Sequence, residues 1–243
     1  MRVDVFAVYN EISERDTRDR TVVAIDVLRA TSTMITAVGN GAIKVIPVVE
    51  VDDAVAMMRT LDRKDALIAG ERNAVPLPGF DLGNSPLEFT PEKVRGKTVV
   101  ISTTNGTSAL QAVKNANRVF IGAVINKTAV ARAIMDSGED VCIVCAGTGG
   151  RFSADDIYGA GAIIAALRTM GVSVECNDLG YVSELLYTSD RGRMNLISKM
   201  HHFGILLDLG MKDDIDYCFT EDLSGCVPVY SGGLIESSMA KNY

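Results

Sequence analysis

Short apolar runs alternate with amphipathic stretches over the first two thirds of the chain. Most of the runs are continuously apolar, which is typical of strands that are covered on both faces. They predict seven strands, at residues 3–8, 22–25, 44–49, 66–69, 98–102, 118–121 and 141–145. Apolar positions that recur every three or four residues predict helices between the strands, at residues 31–38, 51–61, 107–113, 129–135 and 153–167.

This alternation predicts an α/β fold, with a largely parallel or mixed sheet and helices on both faces in three α/β/α layers. At 243 residues, the chain is long enough for one domain that spans residues 1–243. Residues 21–38 resemble residues 98–113, because each segment is an apolar strand, a polar turn that ends in Thr-Ser and a helix that ends in Ala-Val. Two similar lobes, around residues 1–95 and 96–243, are therefore an alternative within this domain.

Two regions interrupt the alternation. Residues 72–96 hold four of the six prolines and predict a long ordered loop, with Phe80, Leu82 and Leu87 as its apolar anchors. After residue 172 the periodicity blurs. The segments that stand out there are residues 178–186, a helical stretch near residues 194–209, and short runs at residues 215–219 and 227–230.

Charge and apolar length exclude several classes of protein. A formal net charge of −7 without any run of Lys or Arg disfavours nucleic acid as a partner. The longest apolar stretches, such as residues 160–167, are far shorter than the roughly 20 residues of a membrane helix. Asp4 also interrupts the apolar amino terminus, so we expect no membrane span, no secretory signal and a cytoplasmic protein. The oligomeric state stays open, with a homodimer as one option.

The five cysteines show no framework spacing, which predicts reduced thiols. Cys142 and Cys145 form a CxxC pair, but they lie on a predicted strand. Side chains three positions apart on a strand point to opposite faces. We therefore interpret both as core residues, neither a metal site nor a disulfide.

Four of the predicted strands end at clusters of oxygen or amide side chains. These clusters are Asp26, Glu71, residues 103–107 and residues 153–156. Because the carboxyl ends of parallel strands share one edge of a sheet, we expect the four clusters to build one site. Carboxylates beside hydroxyls, amides, glycines and arginines suit a hard cation that holds an anionic substrate.

The first cluster pairs a carboxylate with an anion-binding turn. A lone carboxylate at the end of an apolar strand is costly to bury, so Asp26 is favoured as a metal or substrate ligand over a helix cap or an ion pair with Arg29. The guanidinium of Arg29 can hold two oxygens of a phosphate, sulfonate or carboxylate. Thr31 and Ser32 then open a helix whose free N–H groups favour an anion.

The clusters after residues 102 and 145 offer neutral donors and two more acids. Hydroxyls, an amide and a glycine at residues 103–107 lack the Lys and the spacing of a Walker A loop, and a capped turn is the alternative interpretation. No GxGxxG follows residue 145, which disfavours a dinucleotide. Ser153 and Asp156 match a capping box. Adjacent acids cannot both face one site, and we prefer Asp156 over Asp155 as the metal ligand.

The carboxylates suggest which metal binds. Asp26, Glu71 and Asp156 could supply the few carboxylates of a Mg²⁺ site, with water and substrate oxygens as the other ligands. The two histidines, His201 and His202, are adjacent and lack the HExxH spacing of a zinc site. We interpret them as surface or core residues, unless a late segment folds over the site and brings one in as a proton donor.

Long ordered strings carry a resemblance to a known family. VAIDVLRATST, GERNAVPLPGFDLGNSP, VVISTTNGTSAL and VCAGTGGRFSADD, in this order, resemble the 2-phosphosulfolactate phosphatases. The similarity extends into SKMHHFGILLDLG, DIDYC and VPVY, and so covers nearly the whole chain. One departure is Asp155, where the family more often carries Glu.

The resemblance implies Mg²⁺-dependent hydrolysis of 2-phospho-3-sulfolactate to 3-sulfolactate and phosphate, a step of coenzyme M synthesis or of sulfolactate formation. As a mechanistic hypothesis, the catalytic residues are Asp26, Arg29 and Asp155. The small anionic substrate would be bound by Arg29, Thr31, Ser32, Asn84, Ser85, Thr103, Thr104, Asn105, Gly106, Thr107 and Arg151.

Several alternatives stay open at this point. The chain could be a non-catalytic small-anion binding protein, a phosphatase for another small phosphorylated acid, or a hydrolase that uses Cys145. Within the phosphatase hypothesis, attack by water competes with an aspartyl-phosphate route through Asp26. We favour water, because Leu28 stands where a DxDx sequence needs an acid.

Overall fold

A computed structural model describes residues 1–189 and 197–237. Its strands are β1 (Arg2–Phe6), β2 (Thr21–Ile25), β3 (Lys44–Pro47), β4 (Ala66–Arg72), β5 (Val75–Pro76), β6 (Thr98–Ser102), β7 (Arg118–Gly122), β8 (Val141–Cys145), β9 (Glu175–Cys176), β10 (Pro228–Ser231) and β11 (Leu234–Ser237). Its helices are α1 (Glu14–Thr17), α2 (Ala30–Gly39), α3 (Val51–Met58), α4 (Pro91–Val94), α5 (Gly106–Ala112), α6 (Lys127–Ser137), α7 (Ala154–Thr169), α8 (Asp178–Thr188), α9 (His201–Asp208) and α10 (Lys212–Cys218).

All seven predicted strands and all five predicted helices are confirmed. The strand β2 forms from a run of Thr, Val and Ile and is buried along its whole length, as its sequence TVVAI predicts. The helix α7 ends as predicted, because Gly171 takes a left-handed φ of 83° just after the last turn. The amide of Val172 then donates to the carbonyl of Leu167, which closes the helix.

Eleven strands form one mixed sheet in the order β5-β4-β6-β3-β11-β10-β7-β2-β8-β1-β9. Two blocks of parallel strands, β4-β6-β3 and β7-β2-β8-β1-β9, are joined by the antiparallel hairpin β10–β11. The predicted α/β/α fold with a mixed sheet is confirmed. Strands from both sides of residue 95 are interleaved, since β6 lies between β3 and β4.

The two parallel blocks run in opposite directions. Three antiparallel pairings separate them, from β3 to β11, from β11 to β10 and from β10 to β7. The carboxyl ends of β4 and β6 therefore do not share a sheet edge with those of β2 and β8. The expectation that one edge of a parallel sheet collects the polar clusters is wrong, and another contact must bring them together.

Alternate side chains of the strands pack into different cores. Cys142 belongs to the core that includes α2, whereas Cys145 belongs to the core that includes α6 and α7. Both thiols are buried and free. The prediction that this CxxC pair points to opposite faces of its strand is confirmed.

The loop at residues 72–96 is ordered, as predicted, but one of its anchors is different. Leu82 is buried and Phe80 packs against the core of β4, whereas Leu87 is 45% exposed. Phe89 takes the buried place instead, at 1% exposure, and so pins the loop beside α2 and β6. Leu87 lies in a short 3-10 helix, which turns it outward.

The last third of the described chain is mostly helical. The run predicted at residues 215–219 lies largely in α10, and the run at residues 227–230 largely coincides with β10. The helical stretch predicted near residues 194–209 is represented by a 3-10 turn at Ile197–Lys199 and by α9, while residues 194–196 lie outside the described residues. Across residues 1–189 and 197–237, no helix is long and apolar enough to cross a membrane.

Candidate active site

The polar clusters meet where α2 and α5 begin. A Cβ atom at Gly106 would lie 2.5 Å from the Cβ of Ala30 and 2.8 Å from Oδ2 of Asp26. Only glycine permits this approach, because real Cβ contacts are longer. The contact between these two helix starts, which follow β2 and β6, brings the two oppositely directed blocks to one place.

A cavity of about 150 Å³ opens beside this contact. Six of the predicted site residues lie in its wall, together with several that were not predicted. The predicted ones are Asp26, Arg29, Glu71, Asn84, Thr104 and Asn105, and the others include Asn73, Thr148, Gly149, His202 and Ile205. Segments far apart in sequence therefore line one cavity, but no residue of the predicted cluster at residues 153–156 lies in its wall.

One carboxylate oxygen of Asp26 accepts a backbone hydrogen bond, and the other lies next to Gly106. Its Oδ1 accepts a hydrogen bond of 3.1 Å from the amide of Ala30, so the predicted alternative of a helix-start contact is also present. The pKa of Asp26 is raised to about 7, mainly by burial and also by the charges of Asp155 and Glu71, although the hydrogen bond from the Ala30 amide and the charge of Arg29 oppose this rise. A nearby cation would favour the ionised form.

Glu71 ties the end of β4 to the loop after β6. Its Oε1 accepts a hydrogen bond of 2.7 Å from the amide of Thr104, and its Oε2 accepts one of 2.7 Å from the amide of Ala74. The hydroxyl of Thr104 also donates to Oε2 at 3.1 Å. Glu71 is 5% exposed and lies in the cavity wall. These donors stabilise a buried negative charge at this position.

Asp156 does not cap α7. Ser153 is the N-cap residue, but it makes no side-chain cap hydrogen bond, so the predicted capping box is wrong. Instead, Oδ1 of Asp156 accepts from the amide of Val27 and Oδ2 from the amide of Gly147, both at 2.9 Å. The buried carboxylate finds these two amides because the loops after β2 and β8 both cross the start of α7. Burial, followed by the charges of its acidic neighbours, raises the pKa of Asp156 well above its usual value.

Asp155 is also buried, at 2% exposure, but it faces a second opening. Its Oδ1 accepts a hydrogen bond from the hydroxyl of Ser153. Burial raises the pKa of Asp155, and the positive charge of His202 is the largest opposing effect. The adjacent acids therefore point to different partners, as expected, but the acid that lines an opening is Asp155 and not the preferred Asp156.

Arg29 is paired with a residue that the sequence analysis did not single out. Its Nη1 lies 2.5 Å from Oδ2 of Asp214, and the two side chains are only 3% and 7% exposed. Its Nη2 donates to the carbonyl of Ala74 at 2.9 Å. The ion pair considered between Asp26 and Arg29 is therefore replaced by one with Asp214, which lies in α10. The signal was present only in the shared string DIDYC.

Several predicted substrate-binding residues do not line the cavity. Their hydroxyls are used inside the protein: Thr31 bonds to the backbone of Asp26, Ser32 to Val27, Thr107 to Thr103, and Ser85 to the carboxylate of Asp214. The hydroxyl of Thr103 accepts from the amide of Thr107. These five residues shape the loops around the cavity and do not face its interior.

Asn84 contributes an unusual acceptor. It is 4% exposed and lines the cavity, yet its amide oxygen has no hydrogen-bond partner within residues 1–189 and 197–237. Buried polar atoms are nearly always paired. A ligand or an ordered water that donates a hydrogen bond would satisfy it.

A wider groove of about 700 Å³ adjoins the cavity and shares Thr148, Gly149 and His202 with it. Arg151, Lys199 and His201 lie in its wall, so the groove is lined by basic side chains on an acidic protein. A turn in which the amide of Thr148 donates to the carbonyl of Arg151 holds one side of it. Arg72, by contrast, donates to backbone carbonyls at the strand ends.

Two further expectations concern cysteine and metal. Cys145 is completely buried and absent from the cavity wall, and burial raises the pKa of its thiol, so it does not fit a nucleophile at neutral pH. Within the described ranges, no three His, Cys, Asp or Glu side chains converge closely enough to hold a metal by themselves. A cation here would need ligands from water or substrate as well.

Comparisons with known proteins agree with the resemblance. A sequence model described as 2-phosphosulpholactate phosphatase matches residues 6–233. A protein from Caldanaerobacter subterraneus subsp. tengcongensis is 45% identical over 239 residues, which cover 98% of this chain and 99% of that protein. One from Clostridium beijerinckii is 39% identical over 97% of this chain and 99% of that protein. Both are named "Probable 2-phosphosulfolactate phosphatase". This chain belongs to the 2-phosphosulfolactate phosphatase family.

Proposed function

We propose that this protein is a Mg²⁺-dependent phosphatase that hydrolyses 2-phospho-3-sulfolactate to 3-sulfolactate and phosphate, in coenzyme M or sulfolactate biosynthesis. The observation that carries the proposal is the cavity in which Asp26, Glu71 and Arg29 meet. It combines buried carboxylates with a guanidinium, which suits a cation and a phosphate bound together. The names of the relatives support the choice of substrate.

The charge balance of the site supports a divalent cation. Asp26, Glu71, Asp155 and Asp156 are each at most 7% exposed, while the guanidinium of Arg29 already pairs with Asp214. Buried carboxylates without a compensating cation are costly. Mg²⁺ commonly uses one or two carboxylates and fills its other positions with water and phosphate oxygens. Because no three His, Cys, Asp or Glu side chains converge within residues 1–189 and 197–237, Mg²⁺ here would take its remaining ligands from water and phosphate.

We assign the ligands by which carboxylates line the cavity. Asp26 and Glu71 lie in its wall and would hold the ion. Asp156 is absent from that wall and accepts the amides of Val27 and Gly147, so we propose that it positions the loops after β2 and β8. When bound, Mg²⁺ would neutralise charge on the phosphoryl oxygens.

The remaining roles follow from position. Arg29, Thr104 and Asn105 line the cavity and would hold the phosphate. Asp155 lines the groove that adjoins the cavity, and its raised pKa makes its carboxylate a stronger base for the proton of the attacking water. We favour direct attack by water. A phosphorylated protein trapped during turnover would contradict this preference.

The first prediction concerns metal removal. Phosphate release is expected from 2-phospho-3-sulfolactate with Mg²⁺ and is expected to stop in EDTA, because the carboxylates alone repel the substrate. The same assay, with Mg²⁺ and with EDTA, should be run on the phosphate esters of lactate and glycolate and on one alkyl phosphate whose alkyl group carries no charge. No release from phosphosulfolactate under any metal condition would defeat the proposal. Tight binding without release would favour a small-anion binding protein instead.

The second prediction concerns the basic groove. We propose that Arg151 and Lys199 contact the sulfonate and carboxylate of the substrate, because both are exposed in the groove beside the phosphate cavity. Arg151→Gln and Lys199→Gln are each expected to raise KM roughly fivefold, the effect of a partly exposed charge contact, with little change in kcat. Lys93→Gln, an exposed residue of α4, is the matched control. An equal rise in KM for an alkyl phosphate whose alkyl group carries no charge would contradict the assignment.

A further inference from the structure

His202 occupies the boundary between the cavity and the groove. It lies in the first turn of α9, and its side chain is part of the wall of both openings. Its Nδ1 atom is shielded from solvent and has no hydrogen-bond partner in the described part of the chain. His201, the neighbouring residue, is exposed and lines only the groove.

An unpartnered imidazole nitrogen at this place needs an explanation. Buried ring nitrogens normally donate to or accept from the protein, and this one has neither contact. A ligand that lies across the boundary would supply the missing partner. The charge of His202 also acts on Asp155, and both side chains line the groove. The groove therefore carries a basic and an acidic group next to the cavity.

The chemistry of the reaction requires a proton at such a place. Attack of water forms a new P–O bond and breaks the bond between phosphorus and the ester oxygen. The electron pair of the broken bond goes to the ester oxygen, which would leave as a strongly basic alkoxide unless it takes a proton. The water gives up one proton, and the products are the alcohol and phosphate. No oxidant or further reactant is involved.

This inference rests on the proposed function. We propose that His202 donates the proton to the leaving alkoxide oxygen, while Asp155 takes the proton of the attacking water. The phosphate in the inner cavity and the acid end of the substrate in the groove place the ester oxygen between them, at the boundary that His202 lines. The proton accepted by Asp155 returns to His202 through solvent after the products leave.

The dependence on the leaving group tests the role. His202→Gln and His201→Gln should be compared on a series of aryl and alkyl phosphates whose leaving groups differ in pKa. With alkyl esters, His202→Gln is expected to lower kcat roughly a hundred- to ten-thousandfold, whereas p-nitrophenyl phosphate, whose leaving group needs no proton, should lose far less. His201→Gln alters only the groove wall and should change kcat by the same factor for every leaving group, so the adjacent histidine is the matched control for the dependence on the leaving group.

The outcomes separate this inference from the function on which it rests. Parallel losses on all leaving groups, or no loss at all, would overturn the role of His202, because a structural effect does not depend on the leaving group. If His202→Gln does not fold, His202→Asn provides the same comparison, and circular dichroism checks both. A wild-type protein that releases phosphate from no ester would instead defeat the proposed function.

Discussion

Asp26→Asn is expected to lower the rate of phosphate release by roughly a hundred- to a thousandfold, the effect of removing one charge that stabilises the transition state. Asn is nearly isosteric and can still accept the hydrogen bond from the amide of Ala30. The substitution therefore removes the charge and leaves the local geometry in place. Steady-state kinetics with saturating Mg²⁺ measure the effect. Asp53→Asn, on the exposed side of α3, is the matched control and should keep full activity.

The same substitution should raise the stability of the metal-free protein near neutral pH, although it lowers activity. In the folded protein the pKa of Asp26 is raised from 3.8 to about 7, mainly by burial. The folded state therefore binds a proton more tightly than the unfolded state. The metal-free protein loses stability as the pH rises from about 3.8 through about 7, by on the order of 4 kcal/mol at most for this group. Below both values the penalty is absent.

Urea unfolding in EDTA at pH 5 and pH 8 separates the contribution of Asp26 from that of its neighbours. The wild type should lose more stability than Asp26→Asn between these two values. Asp155 and Asp156, whose pKa values are also raised, lower the stability of both proteins as the pH rises. Their contribution is common to both proteins, so the difference between the two proteins reports on Asp26. Equal pH dependence of the two proteins would show that the carboxylate of Asp26 is not strained in the metal-free state. In the activity assay, an unchanged rate of phosphate release by Asp26→Asn would show that Asp26 is not part of the active site.

These opposite effects have a common origin. A group that is destabilising in the empty site and indispensable when the site is filled is typical of functional positions, where stability is given up for preorganised charge. Asp26 is held by the contact between α2 and α5, which only Gly106 permits.

The fold was predictable where local sequence determines it. Continuous runs rich in Val and Ile identify β2, β6 and β8, because strands buried on both faces require them. The direction of the two blocks was not predictable, because it depends on the hairpin β10–β11, whose partners lie more than a hundred residues away in sequence. The pair Gly232-Gly233, with two positive φ angles, was the available signal for this hairpin.

The site was predictable where a charged side chain lies at or just after the end of a buried strand. Asp26, Arg29 and Glu71 are such residues, and all three reach the cavity. Hydroxyl residues in the first turns of helices instead bond to their own backbone, as Thr107 does to the carbonyl of Thr103. Such residues look like ligand donors in sequence although their hydrogen bonds are already used. Asp214 was missed because nothing in an acidic segment such as KDDID shows which acid is buried.

Asp214→Asn is expected to lower the free energy of unfolding by about 3–5 kcal/mol, the cost of leaving one member of a buried ion pair without its partner. The guanidinium of Arg29 is 3% exposed and lies 2.5 Å from the lost charge, so water cannot replace it. The hydroxyl of Ser85, which donates to the same carboxylate, loses a charged acceptor as well. Urea unfolding measures the change.

Asp216→Asn in the same helix is the matched control for Asp214→Asn. Asp216 also pairs with a basic residue, Lys212, but the two side chains are 60% and 68% exposed, and such pairs are worth at most about 1 kcal/mol. The double variant Arg29→Met/Asp214→Asn should lose less stability than the sum of its single variants, because it leaves no unpaired charge. A loss for Asp214→Asn within about 1 kcal/mol of that for Asp216→Asn would contradict the prediction. It would mean that Arg29 finds another anion or reaches water, and that its position in the cavity does not depend on α10.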